Sequence, residues 1–498
     1  MVKGLKHKIS QYIDAGFPIL YINSFEDEKV DEIIREIGDR KEINEWNGAR
    51  GMVDFVTKVQ RFPGEKSLSE SLNSFLEKGE MNRKILVLRD FHTQLEDPEI
   101  VAKLKTMASS INKGEDGTII IVSSVVTIPT ELEKYITILE MDYLSVEEIQ
   151  ELILSFIRER NLKMIQEDLL HEFAVAFKGL SEFEICNLLA LAYADDGELT
   201  RRDLKLIFEQ KQQTIKKAGI LEMIPLKESI NDIGGLDNLK QWLKKKAKIF
   251  RNLETARNFG VDMPKGVLVG GVPGCGKSLS AKAIAHLFQV PLLRLDMGRL
   301  MGKYVGESEA NMRKAISLAE AISPCVLWID ELEKAFAGIA GTGGGEVTTR
   351  LLGYFLTWMQ EKSSPVFVVA TANDIAKLPT EMLRKGRFDE IFYIGLPDAE
   401  ERRKIFQIHI KKRRPKDYER IEISGLVRKT EGFSGADIES VVKEGVEAAF
   451  AGGREHLETA DIQDAIRNTT SLKELMGKSL SELEQEYEKR KYKNASIK

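Results

Sequence analysis

The residues best placed to do chemistry are those that could handle a phosphate. Gly271-Val272-Pro273-Gly274-Cys275-Gly276-Lys277-Ser278 fits the pattern G-x-x-x-x-G-K-[S/T] at every fixed position. Its glycines allow successive backbone N–H groups to turn inward as an anion nest, and a following helix would present its positive end to the same anion. Lys277 is expected to reach the β- and γ-phosphates, and Ser278 to offer a hydroxyl to Mg²⁺. Asp330 and Glu331 end the apolar run Val326–Ile329. Two adjacent carboxylates can divide the work, Asp330 in the Mg²⁺ shell through water and Glu331 polarising the attacking water. Asn373 follows the next apolar run, within reach of the γ-phosphate or the same water. Arg384 and Arg387 flank Gly386, and a permanently charged fork suits a phosphate held across a subunit boundary.

Taken singly, a glycine-rich turn, an acidic pair or a strand-end Asn is more often a turn former, and the arginines could form a surface ion pair. Order and flanks favour the chemical reading. Val267-Leu268-Val269 reads as a buried strand entering the loop, and from Leu279 to Phe288 the residues Ala281, Ala285 and Leu287 suit a helix packed on a sheet. Strand-like Pro291–Leu295, helical Glu309–Ala319 and strand-like Val366–Ala370 complete an alternation that predicts a parallel α/β sheet, whose ligands lie at the strands' C-terminal ends.

The chain has 498 residues, 43% of them hydrophobic, enough for more than one core. Lys and Arg total 73 against 78 Asp and Glu, and the formal charge of −5 argues against an extended nucleic-acid face. Cys186, Cys275 and Cys325 are too few and too scattered for a disulfide framework or a zinc site, which fits a reducing compartment. No signal-like segment follows Met1 and no apolar run reaches the ~20 residues of a membrane span, so a cytoplasmic protein is expected.

The first half also alternates strand and helix, with strands expected at Gly16–Ile22, Gly51–Val56, Lys84–Leu88 and Thr118–Val122. Ile128-Pro129-Thr130-Glu131-Leu132 parallels Leu378-Pro379-Thr380-Glu381-Met382, and Gly179-Leu180-Ser181 parallels Gly432-Phe433-Ser434. An internal duplication is the preferred reading, against an unrelated α/β domain. The first copy would lack the chemistry, because Asn23–Glu28 is acidic where a phosphate loop belongs and Arg89-Asp90 replaces the acid pair. Residues 201–222 read as a charged helical linker ending at Pro225. Residues 471–498 read as a charged tail, helical over 480–492 and frayed at its end.

The order of Asp232-Ile233-Gly234-Gly235, the phosphate loop, Tyr304-Val305-Gly306, Asp330-Glu331, Asn373, Arg384 with Arg387 and Gly432–Asp437 resembles the AAA ATPase family within the AAA+ class. The layout is similar to that of AAA proteins encoded by a plastid and cyanobacterial open reading frame. The resemblance implies an α/β P-loop core at 225–396 and a helical lid at 397–470. They would be preceded by a degenerate AAA-like domain at 1–200 and the linker at 201–224, and followed by the tail. It implies ATP and Mg²⁺ as ligands and a homo-oligomeric, hexameric ring. Ile233, Gly234, Gly235, His409, Gly435 and Ala436 would surround the adenine, while Gly271 to Ser278 and Leu279 hold the rest of the nucleotide. Arg384 and Arg387 would act on a neighbour's ATP, and Tyr304, Val305 and Gly306 would line a pore that grips an unidentified protein substrate.

Remodelling or disassembly of that substrate is the first functional reading. An ATP-controlled scaffold that threads nothing, and a DNA-associated motor, are the alternatives. A fused metalloprotease is disfavoured because Val175 stands where the second His after His171-Glu172 would be needed. Asn112-Lys113-Gly114-Glu115 only approximates a guanine-recognition motif and lies upstream of the loop.

Overall fold

A computed structural model describes residues 2–24, 26–38, 41–60, 67–77, 79–123, 126–141, 143–300, 307–336 and 345–497. They divide into two compact units, Met1–Ile207 and Phe208–Lys498.

The first unit is built on β1 (Ile19–Asn23), β2 (Glu42–Asn47), β3 (Gly51–Asp54), β4 (Lys84–Arg89), β5 (Gly117–Ser123) and β6 (Ile136–Glu140). Their order is β3-β2-β4-β5-β1-β6, parallel except for the β2–β3 pair. Consecutive residues point to opposite faces, so Ile19 and Tyr21 join one core while Leu20 and Ile22 join the other. Both faces of the central strands β1, β4 and β5 are covered, which is why these three are mainly apolar. Helices Val146–Glu159, Glu167–Phe177 and Glu182–Asp196 then enclose a separate core around Phe173 and Phe177.

The second unit contains β7 (Leu221–Ile224), β8 (Gly266–Gly271), β9 (Leu292–Leu295), β10 (Cys325–Ile329), β11 (Val366–Ala372), β12 (Glu390–Ile394) and β13 (Lys493–Asn494), ordered β13-β12-β8-β11-β10-β9-β7. Its central run β12-β8-β11-β10-β9 has the same strand order as β6-β1-β5-β4-β2 of the first unit. The local signatures repeat as well. Leu132 N–H donates to Pro129 O at 3.0 Å, and Met382 N–H to Pro379 O at 3.0 Å. Ser181 with Glu184 and Ser434 with Asp437 form capping boxes that satisfy the first N–H groups of corresponding helices. Asp90 and Glu331 take left-handed φ values of +47° and +51° at the ends of corresponding strands. The first unit thus repeats the strand order and local signatures of the second, as the sequence parallels imply.

At the end of β4 in that copy stands Arg89, the counterpart of Asp330. Its guanidinium pairs with Asp27 at 2.7 Å, Glu45 at 3.1 Å and Asp31, while Lys58 Nζ adds a 2.6 Å contact to Glu45. Glu26 Oε1 accepts the Glu182 N–H at 2.5 Å, so a carboxylate of the former phosphate loop caps the helix that begins there. Two acids of that loop, Glu26 and Asp27, thus find partners within the first unit.

Two segments differ from expectation. Residues 221–224, expected as the end of a helical linker, form β7, antiparallel to β9, because Leu221 and Met223 face the core. The chain's last segment is docked rather than frayed. After helix Lys478–Lys489, β13 pairs in parallel with β12, and Ala495 donates to Tyr393 O at 2.8 Å while its own carbonyl accepts Leu239 N–H at 3.1 Å. Tyr487 is buried, with its ring 4.1 Å from that of Tyr393, and Ser496 Oγ donates to Glu401 Oε1 at 2.6 Å. A few apolar anchors in a charged segment suffice to hold it on a sheet edge that would otherwise be open.

Candidate functional site

The site lies where β8, β10 and β11 end. β8 is buried at all six residues and stops at Gly271; the loop follows, and helix Lys277–Phe288 starts within it. Lys277 is buried, and its Nζ donates to Gly271 O and Val272 O, both at 2.8 Å. Burial pushes its ammonium down to about 8, against the pull of Cys275 and of the carboxylates of Glu333, Asp330 and Glu331. Ser278 Oγ donates to Asp330 Oδ1 at 3.3 Å. Asn373 Nδ2 donates to Glu331 Oε1 at 3.4 Å, and Lys334 Nζ to Glu331 Oε2 at 2.7 Å. Lys277, Ser278, Leu279, Asp330, Glu331 and Asn373 line one cleft of about 340 Å³ with Pro273, Gly274, Gly276 and Thr371. That volume is at the lower end of the range for small-molecule sites.

Gly274 is where the loop meets the lid. Its φ is +72°, and a Cβ there would lie 3.0 Å from both Ser434 Oγ and Ala436 Cβ. Ala436 N–H donates to Gly274 O at 2.9 Å, so the N-terminus of helix Gly435–Ala451 abuts the phosphate loop. Ile233, Gly234 and Gly235 stand outside the cleft lining, the two glycines against helix Ala399–Arg413. Gly234 packs on Ile405, and Gly235 has φ +87° with no room for a Cβ beside Glu401, whose Oε1 accepts Leu236 N–H at 2.9 Å. Lys240 Nζ donates to Ile233 O at 2.5 Å. His409 lies one turn beyond Ile405; burial lowers its imidazole pKa against the pull of Glu439, whose Oε1 is 3.8 Å from Nδ1, and that nitrogen makes no hydrogen bond among the described residues. Cys275 is equally inert, because burial pushes its thiol up to about 12.

The arginines are elsewhere. Neither Arg384 nor Arg387 lines the cleft. Arg387 is tied to Leu356 O at 2.5 Å, while Arg384 is exposed and has no ion-pair partner among the described residues. Tyr304, Val305 and Gly306 lie outside the described residues, as does the glycine-rich stretch 338–344.

Sequence reading missed two polar groups. Thr371 Oγ1, buried, donates to Asp330 Oδ1 at 2.5 Å and accepts Glu331 N–H at 3.1 Å. Glu333, also buried, accepts Asn373 N–H at 3.0 Å. Thr371 carried a usable signal: it is a hydroxyl in an apolar strand, two residues before Asn373 and so on the same face.

Comparison with known proteins agrees with this geometry. Residues 267–396 match the ATPase family associated with various cellular activities (AAA), and residues 420–464 match the AAA+ lid domain. Residues 5–141 and 147–218 match the N-terminal and second domains of SpoVK-like AAA ATPases. The AAA domain-containing protein ycf46 of Guillardia theta is 40% identical over 480 residues, covering 95% of this chain and 92% of that protein. Its counterpart from Pyropia yezoensis is 38% identical over 468 residues, 92% and 93% of the two chains. A cell division cycle protein 48 homolog of Archaeoglobus fulgidus is 33% identical over 250 residues, half of this chain and 34% of that one. Among the described residues no helix is long and apolar enough to cross a membrane. With its phosphate loop, strand-end carboxylates and lid arranged in this way, and with relatives alike over almost their whole length, the chain belongs to the AAA ATPase family, beside the ycf46 proteins.

Proposed function

We propose that the protein is a Mg²⁺-dependent ATPase that works as a ring in the cytoplasm and uses hydrolysis to remodel a protein substrate. The observation that carries the reading is the convergence of Lys277, Ser278, Asp330, Glu331 and Asn373 on one cleft, while Arg384 stands outside it, exposed and unpaired among the described residues. The loop's N–H groups and Lys277 hold the phosphates. Gly274, crowded against the lid, leaves room for nothing larger than backbone beside them. His409, whose Nδ1 makes no hydrogen bond among the described residues and lies 3.8 Å from Glu439 Oε1, and the Gly234-Gly235 turn would lie beside a nucleoside on the lid side. Ser278 and Asp330, already joined through a hydrogen bond, are the hard oxygen donors that Mg²⁺ takes, and the ion would neutralise charge on the β- and γ-phosphates. Glu331, oriented by Asn373, orients and polarises the attacking water.

An exposed Arg384 is suited to a neighbour's γ-phosphate, as is Arg387 once released from Leu356. The test is complementation. Arg384→Ala keeps an intact cleft and Glu331→Gln keeps an intact arginine, so each alone should hydrolyse ATP at a small fraction of the normal rate. Mixed, they should regain activity wherever an intact cleft faces an intact arginine. A mixture no more active than its components would sink the shared site.

The remodelling step rests on Tyr304. Tyr304→Ala should leave hydrolysis within about twofold of normal and stop processing of a bound polypeptide; unchanged processing would favour the nucleotide-controlled scaffold.

A further inference from the structure

The end of β10 is strained, and the strain is held from β11. Glu331 has φ +51°, a left-handed conformation unfavourable for a residue with a Cβ. Its N–H points to Thr371 Oγ1 at 3.1 Å, and the hydrogen of that same hydroxyl goes to Asp330 Oδ1 at 2.5 Å. One buried hydroxyl therefore touches both carboxylate residues, accepting from the backbone of one and donating to the side chain of the other. Asp330 Oδ1 also receives Ser278 Oγ at 3.3 Å, so Thr371 and Ser278 approach the carboxylate from β11 and from the phosphate loop's helix.

The first unit provides an internal comparison. Asp90, with φ +47°, is the counterpart of Glu331, and its N–H donates to Val122 O at 3.1 Å. In the parallel register Arg89 stands opposite Val122, and Ile329 opposite Ala370 places Asp330 opposite Thr371. Val122 is thus the counterpart of Thr371. The turn itself survives without a hydroxyl, with a backbone carbonyl taking the N–H. What the hydroxyl adds in the second unit is a donor to the acid that precedes the turn. The unit that has lost its acid pair has also lost the hydroxyl.

From this we infer that Thr371 is a positioning residue for ATP hydrolysis, fixing the Asp330 carboxylate toward Ser278 and the Glu331 backbone in the turn that aims its side chain at Asn373. The inference rests on the proposed roles of Asp330 and Glu331. It adds a residue that acts through Asp330 and Glu331.

The experiment compares Thr371→Val, which installs the first unit's residue at nearly constant volume, with Thr371→Ser, which keeps the hydroxyl. Hydrogen bonds to charged groups contribute about 1.5–3 kcal/mol, which converts to roughly a ten- to hundredfold loss of kcat. Thr371→Val should show that loss with KM for ATP within about twofold, and the Mg²⁺ concentration for half-maximal rate should rise several-fold. Thr371→Ser should restore both to within about threefold. A merely structural role would lower the melting temperature without moving the Mg²⁺ dependence. If Thr371→Val does not fold, Thr371→Ala against Thr371→Ser supplies the same comparison. Normal kcat and Mg²⁺ dependence in Thr371→Val, or equal losses in Val and Ser, would overturn the inference. Lys277→Ala in the same assay separates the two levels: if it hydrolyses ATP normally, the ATPase site itself is misassigned, whereas its inactivity beside a normal Thr371→Val removes only Thr371.

Discussion

Replacing Lys277 by Ala is expected to lower ATP hydrolysis by at least about a hundred- to a thousandfold, the loss typical when one preorganised charge is removed from a reacting oxyanion. The side chain sits between the loop's own carbonyls, Gly271 O and Val272 O, at the end of a fully buried strand. Those carbonyls hold the ammonium at the phosphate loop, and among the described residues no other lysine or arginine lines the cleft to replace it. The variant should stay folded, because burial opposes the charge it removes.

The same burial makes ATP binding dependent on pH. With its ammonium pushed down to about 8, Lys277 loses its charge as pH rises through that value, about two units below an ordinary lysine. Between pH 8 and the unfolded value the unfolded chain binds more protons at this group, so its contribution to folding stability rises with pH. Binding runs the other way. Phosphate favours the charged form, so ATP binding above pH 8 takes up a proton and affinity falls by up to about tenfold per pH unit. Calorimetry in buffers of different ionisation enthalpy would read the uptake directly. A dissociation constant flat from pH 7 to 9.5, with no proton uptake, would refute this account of Lys277.

The phosphate side of the site was legible because its residues are contiguous or end apolar strands, so spacing alone brings Lys277, Ser278, Asp330, Glu331 and Asn373 to one sheet edge. The lid side was legible only by resemblance. Placing Gly234, His409 and Ala436 beside a nucleotide rests on resemblance alone, since they come from separate elements and none of them lines the cleft. The short strands were hidden for a related reason. β2 reads Glu-Ile-Asn-Glu-Trp-Asn, and its Glu45 is buried because Arg89 and Lys58 neutralise it from other elements. β7 and β13 are held by few apolar contacts within charged surroundings, below what periodicity can register.

Those neutralising partners lead to the largest effect expected on stability. Arg89→Met keeps the apolar stem and removes the charge that faces Asp31 and Glu45, whose side chains are only 16% and 4% exposed. Asp27, 65% exposed, would be rehydrated at little cost. Glu45 would keep Lys58, but Asp31 would be left with Lys58 at 3.6 Å and Arg35 at 3.9 Å. Burial already raises the Asp31 carboxyl against the pull of Arg89, so losing the arginine should raise it further. Removing one partner of a buried ion pair costs about 3–5 kcal/mol. For a unit of this size that corresponds to a fall of roughly 6–20 °C in melting temperature. In the full-length protein the loss should appear in the transition of the first unit, followed by calorimetry, while hydrolysis at 25 °C persists because the phosphate loop lies in the other unit. An unchanged first transition would mean that the cluster is solvated.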